Sequence, residues 1–438
     1  MDRRQGMMRI RVVNALALGT LLLAACGGEA EETVPDGPTE WRGTVHTESA
    51  VTTVHNIGGS VWKSAKLIEE ASIGGAGSDD AYAFSRVRSV AASTDRIYVL
   101  DELARIVTIY DWDGRYLDDI GREGDGPGEF RRPWALGLTR AQTLLVRDRS
   151  QGRVHVFSLD GQLLDDWRVT GGAMTRISQD GTVYTLGRMK GQPQTGQRPR
   201  LGMWENTPEG RGSAIPVPFF DMEPQYVPVG RSLLEPGIGR ARAQGLGIDV
   251  IHLPFAPYPV WSLGADGTLC SGLADALQFE ARHPDGSVLQ VKMDSPSIPV
   301  HPDEGNWYRD RLSAFWSELV PEFIWRGAAL PTQKRAYVLL IPDHSGRTWL
   351  VRELEGRRVP DCDPQPDNFA EYLERPCWTQ PYAMEAFGRD GRFLGRIDLP
   401  AGLRFEEEMY IRDDVVIAVH EDLAGTIEVK RYRLQISR

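Results

Sequence analysis

A repeat of 47 residues constrains this chain more than any other feature. Ile97-Tyr98-Val99-Leu100-Asp101 is followed by Val107 to Tyr110, then Asp113-Gly114, then Asp118-Asp119. Without a gap, 47 residues later, Leu144 to Asp148 leads to Val154 to Phe157, Asp160-Gly161 and Asp165-Asp166. Apolar and polar residues alternate within each short run, the period of a half-buried strand. Asp-Gly is a turn that joins antiparallel neighbours. Each copy therefore reads as consecutive antiparallel strands.

A period in the forties with several strands per unit is that of a propeller blade. Upstream, Ile73-Gly74 precedes Ile120-Gly121 by 47 residues and Phe84 precedes Phe130 by 46, a partial further copy. Downstream the pattern decays but stays legible. A third unit starts near Arg176 with Asp180-Gly181 and ends near Pro218, and a fourth runs through Val260-Trp261, Asp266-Gly267 and Asp285-Gly286. A fifth holds Ala336 to Leu340, Arg347 to Val351 and Ala383 to Pro400, with Asp390-Gly391 at its hairpin. The last, Arg404 to Leu434, has room for three strands only. The early segment Lys66 to Gly74 can supply its fourth and so remove the open edges of a ring. The expected fold is all-β: a six-bladed β-propeller of four-stranded antiparallel blades over residues 41–438, closed by an N-terminal strand, with one short helical insertion.

Between the two clearest copies lies Gly121-Arg122-Glu123-Gly124-Asp125-Gly126-Pro127-Gly128-Glu129-Phe130-Arg131-Arg132-Pro133. This stretch resembles the inter-blade segment of propellers with NHL repeats, and Asp148 to Phe157 resembles their strand pair. The N-terminus adds a second resemblance. Residues 1–25 carry Arg3, Arg4, Arg9 and Arg11 before a mostly apolar run, Val12 to Ala25. At about 14 residues that run is a signal-peptide core, shorter than the ~20 a spanning helix needs. It ends in Leu23-Ala24-Ala25-Cys26, which resembles the lipobox of bacterial lipoproteins. In that family the sulfur of the cysteine is diacylated, palmitate being a typical acyl group, and the peptide is cleaved before it. The whole chain is thus similar to the six-bladed β-propeller lipoproteins of bacteria, closely over residues 62–170 and more loosely beyond. The resemblance implies an exported protein anchored in a membrane through acylated Cys26. Gly27 rather than Asp follows Cys26, so the outer membrane is expected over the inner. Residues 26–40, rich in Glu, Asp and Pro, read as a flexible acidic tether.

Charge narrows the partners. The chain has 50 Lys+Arg against 61 Asp+Glu, a formal charge of −11, and without residues 1–25 this becomes −14. Such a balance excludes a general nucleic-acid binder. Two insertions stand out. Phe219 to Leu253, rich in Gly and Pro, reads as a long loop between the third and fourth blades. Asp303 to Leu319 reads as a helix bounded by Pro302 and Pro321, with Tyr308, Leu312, Phe315, Trp316 and Leu319 on one face. Cys362 and Cys377 sit in a polar, Pro-rich insertion where an exported protein can form a disulfide. Cys270 lies in an alternating strand and reads as a buried thiol.

No catalytic constellation stands out. The eight histidines are scattered, with no HExxH or CxxC, and no Gly-x-Ser-x-Gly is present. The glycines of the Gly121–Gly128 run suit a tight turn rather than a phosphate loop. Asp101 and Asp148 recur at one repeat position, which points to a structural hydrogen bond in each blade. Arginines near the blade starts do suggest a site. Arg86 and Arg132 follow the shared phenylalanine, Arg131 and Trp134 are adjacent, and Arg176 and Arg335 precede later blades. Converging on the channel they would suit an anion; the alternative is inter-blade ion pairing. The expected function is a binding module of the cell envelope for a protein, glycan or anionic small molecule, with no cofactor. Two alternatives remain. One is a hydrolase or lyase resembling the lactonase and peptide-amidating-lyase propellers, which would need Ca²⁺ or Zn²⁺ in the channel. The other is a structural subunit of an envelope complex.

Overall fold

The computed structural model describes residues 40–75, 82–170, 175–189, 201–217, 226–228, 250–319, 323–325, 329–360, 362, 377–404, 409–422 and 425–438, with the backbone alone for 226–228, 250–252, 315, 318 and 319. Residues 1–25, Cys26 and the acidic tether lie outside the described residues.

The described chain opens with three strands, β1 (Arg42–Glu48), β2 (Val51–Gly58) and β3 (Ser64–Gly74). Blade one follows as β4 (Val87–Ala92), β5 (Arg96–Asp101), β6 (Ile106–Asp111) and β7 (Tyr116–Ile120). Blade two is β8 (Pro133–Leu138), β9 (Thr143–Asp148), β10 (Arg153–Ser158) and β11 (Leu163–Arg168). Blade three is β12 (Thr175–Ile177), β13 (Val183–Arg188), β14 (Leu201–Thr207) and β15 (Gly210–Pro216). A two-stranded ribbon, β16 (Tyr226–Pro228) with β17 (Val250–His252), comes next. The expected loop Phe219 to Leu253 is therefore tied at its ends by strand pairing, and the residues between them lie outside the description.

Blade four is β18 (Pro259–Leu263), β19 (Leu269–Leu273), β20 (Gln278–Arg282) and β21 (Val288–Met293), followed by helix α1 (Pro302–Leu319). Blade five is β22 (Leu339–Pro342), β23 (Thr348–Glu353), β26 (Tyr382–Phe387) and β27 (Phe393–Asp398), interrupted by the short pair β24 (Arg357–Arg358) and β25 (Trp378–Thr379). Blade six is β28 (Tyr410–Arg412), β29 (Val415–Glu421) and β30 (Ile427–Ser437), with β3 as its outermost strand. Six four-stranded antiparallel blades thus form a closed propeller.

Closure by β3 is extensive. It pairs antiparallel with β30 from Ser64↔Ser437 to Gly74↔Glu428, two residues longer than the sequence indicated. A bulge between Glu69 and Ala71 turns Glu70 onto Arg431 at 2.6 Å and Arg433 at 3.0 Å.

The core lies between blades. A blade has two apolar faces and buries each against a neighbour, so the core is six seams rather than one centre. Tyr98, Val107 and Ile109 of blade one meet Leu136, Val146 and Phe157 of blade two. The other seams include Leu145 with Val183, Tyr184 with Leu263, Cys270 with Leu350, Val351 with Ile411, and Ile417 with Ile97. Each fully buried Leu, Ile or Phe contributes about 1.5–3 kcal/mol. The Asp-Gly turns fit their role: Gly114, Gly161, Gly286 and Gly391 all have φ between 79° and 87°. Gly121 has φ 84°, and a Cβ there would fall 2.2 Å from the Phe130 ring, so this inter-blade turn needs glycine.

The hairpin β1–β2 adds an unforeseen feature. β2 lies parallel to β21, making the blade-four sheet six-stranded. Asn56, 2% exposed, bolts it down: its amide donates to Lys292 O and Gly391 O, and its Oδ1 accepts from Trp41 Nε1 and Phe393 N. The chain then follows β27, with Trp62 N donating to Leu394 O, before entering blade six.

Helix α1 starts one residue earlier than expected, because proline's missing N–H costs nothing at the first helical position. Trp307 and Tyr308 pack against Trp378 and a Cys362–Cys377 disulfide with Cα atoms 5.4 Å apart. Trp316 is buried and Tyr308 half-buried, while the Phe315 and Leu319 side chains of the expected face lie outside the description. Beneath the first turn, Glu304 is fully buried and paired with Lys334 and Gln380.

Candidate functional site

The innermost strand of each blade (β4, β8, β12, β18, β22, β28) is the edge of its sheet. One side of its backbone has no strand partner and faces the central channel. All six contribute to a cavity of about 340 Å³, from Arg88 and Trp134 at one end to His344 and Tyr410 at the other.

The strands start at the first end, and there the recurrent aspartates act. Asp148 accepts hydrogen bonds from Arg131 N, Arg132 N and Gln151 N at 2.7–2.8 Å. Asp101 likewise accepts from Ser85 N, Arg86 N, Leu103 N and Ala104 N. Each carboxylate clamps the segment leading into a blade onto the turn after its second strand. The clamp is structural, and it also places Arg86 and Arg132 at the channel mouth.

At the mouth those two arginines meet Glu102. Arg132 Nε donates to its Oε1 at 2.8 Å, Arg88 donates to Oε2 from Nε at 3.1 Å and Nη2 at 2.6 Å, and Arg86 Nη1 stands 3.8 Å away. Glu102 is 4% exposed, the guanidiniums 20–50%. Burial alone would raise the Glu102 carboxyl, but the arginine hydrogen bonds outweigh it and hold it below its ordinary value. Trp134 completes the collar. The guanidinium carbons of Arg88, Arg149 and Arg132 lie 4.2, 5.0 and 5.2 Å from the indole centroid. These contacts orient the planar cations without neutralising them. Three guanidiniums thus surround one carboxylate, and a fourth, that of Arg149, joins them on the indole.

Of the arginines expected at a site, Arg86 and Arg132 converge with Trp134, and Arg176 lines the same cavity. Arg131 turns away to Asp125 at 2.8 and 2.5 Å, and Arg335 pairs with Glu353 at 3.4 Å against the Tyr258 ring. Inter-blade pairing and convergence both occur: Glu102 of blade one is bridged by Arg132 of blade two. Sequence reasoning missed Arg88, Glu102 and Arg149. A signal existed, since Glu102 and Arg149 are 47 residues apart, each directly after its clamp aspartate.

Other candidates have structural surroundings. His155 is buried, its Nδ1 accepting from Gly128 N at 3.3 Å, and burial holds it below the ordinary histidine value. Burial lowers His420 similarly; it contacts the Tyr432 hydroxyl at 2.8 Å. Cys270 is completely buried, which pushes its thiol up to about 12 and keeps it protonated. Asp125, Glu123 and Glu129 are engaged by Arg131, Arg105 and Arg122. Among the described residues, no three His, Cys, Asp or Glu side chains gather as a metal site.

A match to a family of known fold agrees with this architecture. A family described as a 6-bladed beta-propeller matches residues 78–175, the stretch holding blades one and two. Protein lin-41 of Caenorhabditis elegans is 37% identical over 60 residues, covering 12% of this chain and only 5% of that protein's length. Among solved structures, a member of the duf4221 family from Bacteroides vulgatus is 10% identical, with a TM-score of 0.46 over 85% of this chain and 99% of that one. Virginiamycin B lyase from Staphylococcus aureus is also 10% identical, with a TM-score of 0.35 over 85% of this chain and 100% of that one.

Proposed function

We propose that this protein is an extracytoplasmic binding module, tethered to a membrane through acylated Cys26, that takes an anionic ligand at the Arg88–Trp134 mouth of its channel. One observation carries the ligand reading: Arg86, Arg88 and Arg132 gather around a single carboxylate and Arg149 stacks beside them on Trp134, on a chain whose overall charge is −11. Held guanidinium forks in excess of their counter-charge are a standing site for carboxylate or phosphate. The motif Leu23-Ala24-Ala25-Cys26 supports the anchor, with the outer membrane as its location and residues 26–40 as the spacer. No helix among the described residues is long and apolar enough to cross a membrane.

The ligand reading is tested by titrating the full chain with inorganic phosphate and with small carboxylates. Binding should weaken at least tenfold in Arg149→Gln; equal affinity in that variant would overturn the assignment. The anchor is tested by labelling cells with radioactive palmitate, and retention of label in Cys26→Ser would reject it. One tightly held Ca²⁺ or Zn²⁺ per desalted chain would favour the hydrolase or lyase alternative. A stoichiometric envelope protein crosslinked to helix α1 would favour the structural subunit.

A further inference from the structure

The opposite mouth of the channel is a different chemical environment. It is formed by the turns between the first and second strands of the blades. Three backbone hydrogen bonds knit these turns around the ring: Arg140 N to Gln179 O at 2.7 Å, Gln179 N to Ala265 O at 2.8 Å and His344 N to Ile411 O at 3.0 Å. Within this rim lies a cavity of about 300 Å³ lined by residues of blades one, two, three, five and six. The lining includes Arg140, Gln142, Gln179, His344, Tyr410 and Arg412, and no Asp or Glu. On a chain with more acidic than basic residues, such a lining is a local inversion of charge.

Hydrogen bonding makes the inversion sharper. Arg140 Nε donates to Gln179 Oε1 at 3.2 Å, which fixes the orientation of that amide. Gln179 Nε2 must then donate to His344 Nδ1 at 2.8 Å, so Nδ1 is an acceptor and the neutral ring carries its proton on Nε2. Both acceptor groups of this bridge are thereby occupied from within the protein. Donors remain: the Nη groups of Arg140, which has no carboxylate partner among the described residues, and the amide of Gln142; the guanidinium of Arg412 is shared between the Tyr410 hydroxyl and the Asp413 carboxylate. Arg412 Nε pairs with Asp413 Oδ2 at 3.8 Å, an ion pair weakened by water because that side chain is 75% exposed, while Oδ1 accepts from Ser345 Oγ. That carboxylate is not part of the lining.

We infer that this lower mouth is a second binding site for a small solute bearing an oxyanion, carboxylate or phosphate, held by Arg140 and Arg412 from the two blades that flank blade one. Arg140 belongs to blade two and Arg412 to blade six, so the solute bridges blades that share no strand pairing. The site adjoins the channel cavity, with which it shares Leu138, His344 and Tyr410, but none of the arginines of the Arg88–Trp134 collar lines it.

The test is isothermal titration of the full chain at low ionic strength, with inorganic phosphate in one series, D-glucuronate in a second and neutral D-glucose in a third. Arg140→Gln and Arg412→Gln are compared with the parent. Both side chains are exposed, so the variants should unfold at the parent's temperature, which a melting curve checks. The site predicts binding of phosphate or glucuronate, weakened about tenfold or more in each variant, with glucose silent. Arg140→Lys should recover part of the loss, since it restores charge without the fork. Preference between the two anions then tells phosphate from carboxylate. Failure of both anions to bind, unchanged affinity in Arg140→Gln and Arg412→Gln, or equal binding of glucose would each overturn the inference. An anion held only at the upper mouth would be untouched by these two substitutions.

Discussion

Replacing Glu102 by glutamine should move stability and anion affinity in opposite directions. The side chain is 4% exposed and accepts three hydrogen bonds, two from Arg88 and one from Arg132. Glutamine keeps the volume but turns one oxygen into an N–H₂ that faces a guanidinium donor. Hydrogen bonds to a charged group are worth about 1.5–3 kcal/mol each when desolvated. The arginines are 20–50% exposed and regain water, so the net loss should be about 1–3 kcal/mol. Chemical unfolding at neutral pH reads this directly. For an anion bound about 5 Å from the lost charge, relief of repulsion at an effective dielectric of about 80 to 20 is about 0.8–3.3 kcal/mol. Phosphate should therefore bind Glu102→Gln roughly fourfold to a few hundredfold more tightly at low salt, and the gain should shrink at high salt. Unchanged stability would refute Glu102 as the hub of the collar. Lower stability with unchanged or weaker phosphate binding would refute the excess charge as the source of affinity.

Further expectations concern pH and the ring itself. His155 and His420 are buried with their pKa values held down, so the unfolded chain binds their protons more readily. The stability their neutral forms confer is full above about pH 6.5 and is lost as pH falls below it; melting temperatures from pH 7.5 to 5 should decline, and His155→Gln with His420→Gln should flatten the decline. Glu102 acts lower: its contribution is present above about pH 4.5 and lost as pH falls through its depressed value, so Glu102→Gln should be less stable than the parent at neutral pH and converge with it at the acid end of the curve. Gly121→Ala and Gly286→Ala share φ near 85°, but a Cβ at 121 meets Phe130 at 2.2 Å while one at 286 meets nothing within 4 Å. Both should lose about 1–2 kcal/mol to backbone strain, and Gly121→Ala about 1–3 kcal/mol more from overpacking; equal losses in chemical unfolding would count against the turn geometry. Deleting residues 64–74 should destabilise the whole ring, and an unchanged single unfolding transition would contradict closure by β3.

Much of the fold was legible because blades repeat. The 47-residue spacing exposed strand order, turn position and the clamp role of Asp101 and Asp148, since a hydrogen bond needed once per blade recurs once per period. Closure was legible from a deficit, three strands where four were needed. The site was legible only in outline. Arg86, Arg132 and Trp134 follow the clamp and could be placed near the mouth. Glu102 and Arg149 share a repeat position but, like Arg88, could not be aimed at the mouth, because which way a side chain leaves its turn depends on the neighbouring blade. Arg131 shows the same limit from the other side. It is adjacent to Arg132 in sequence, yet it points to Asp125.

What the sequence determined by itself is the blade: alternation sets the strands, Asp-Gly sets the turns, and the period sets their number around the ring. These are local interactions, written within a span of about fifty residues. What only the tertiary structure decided are the contacts between blades. β2 pairs with β21 from more than 200 residues away, and Gln179 reaches across the channel to His344. Both mouths of the channel draw their charge from several blades at once. No local pattern records such meetings, because they exist only when the ring closes and brings the ends of its innermost strands within hydrogen-bonding distance.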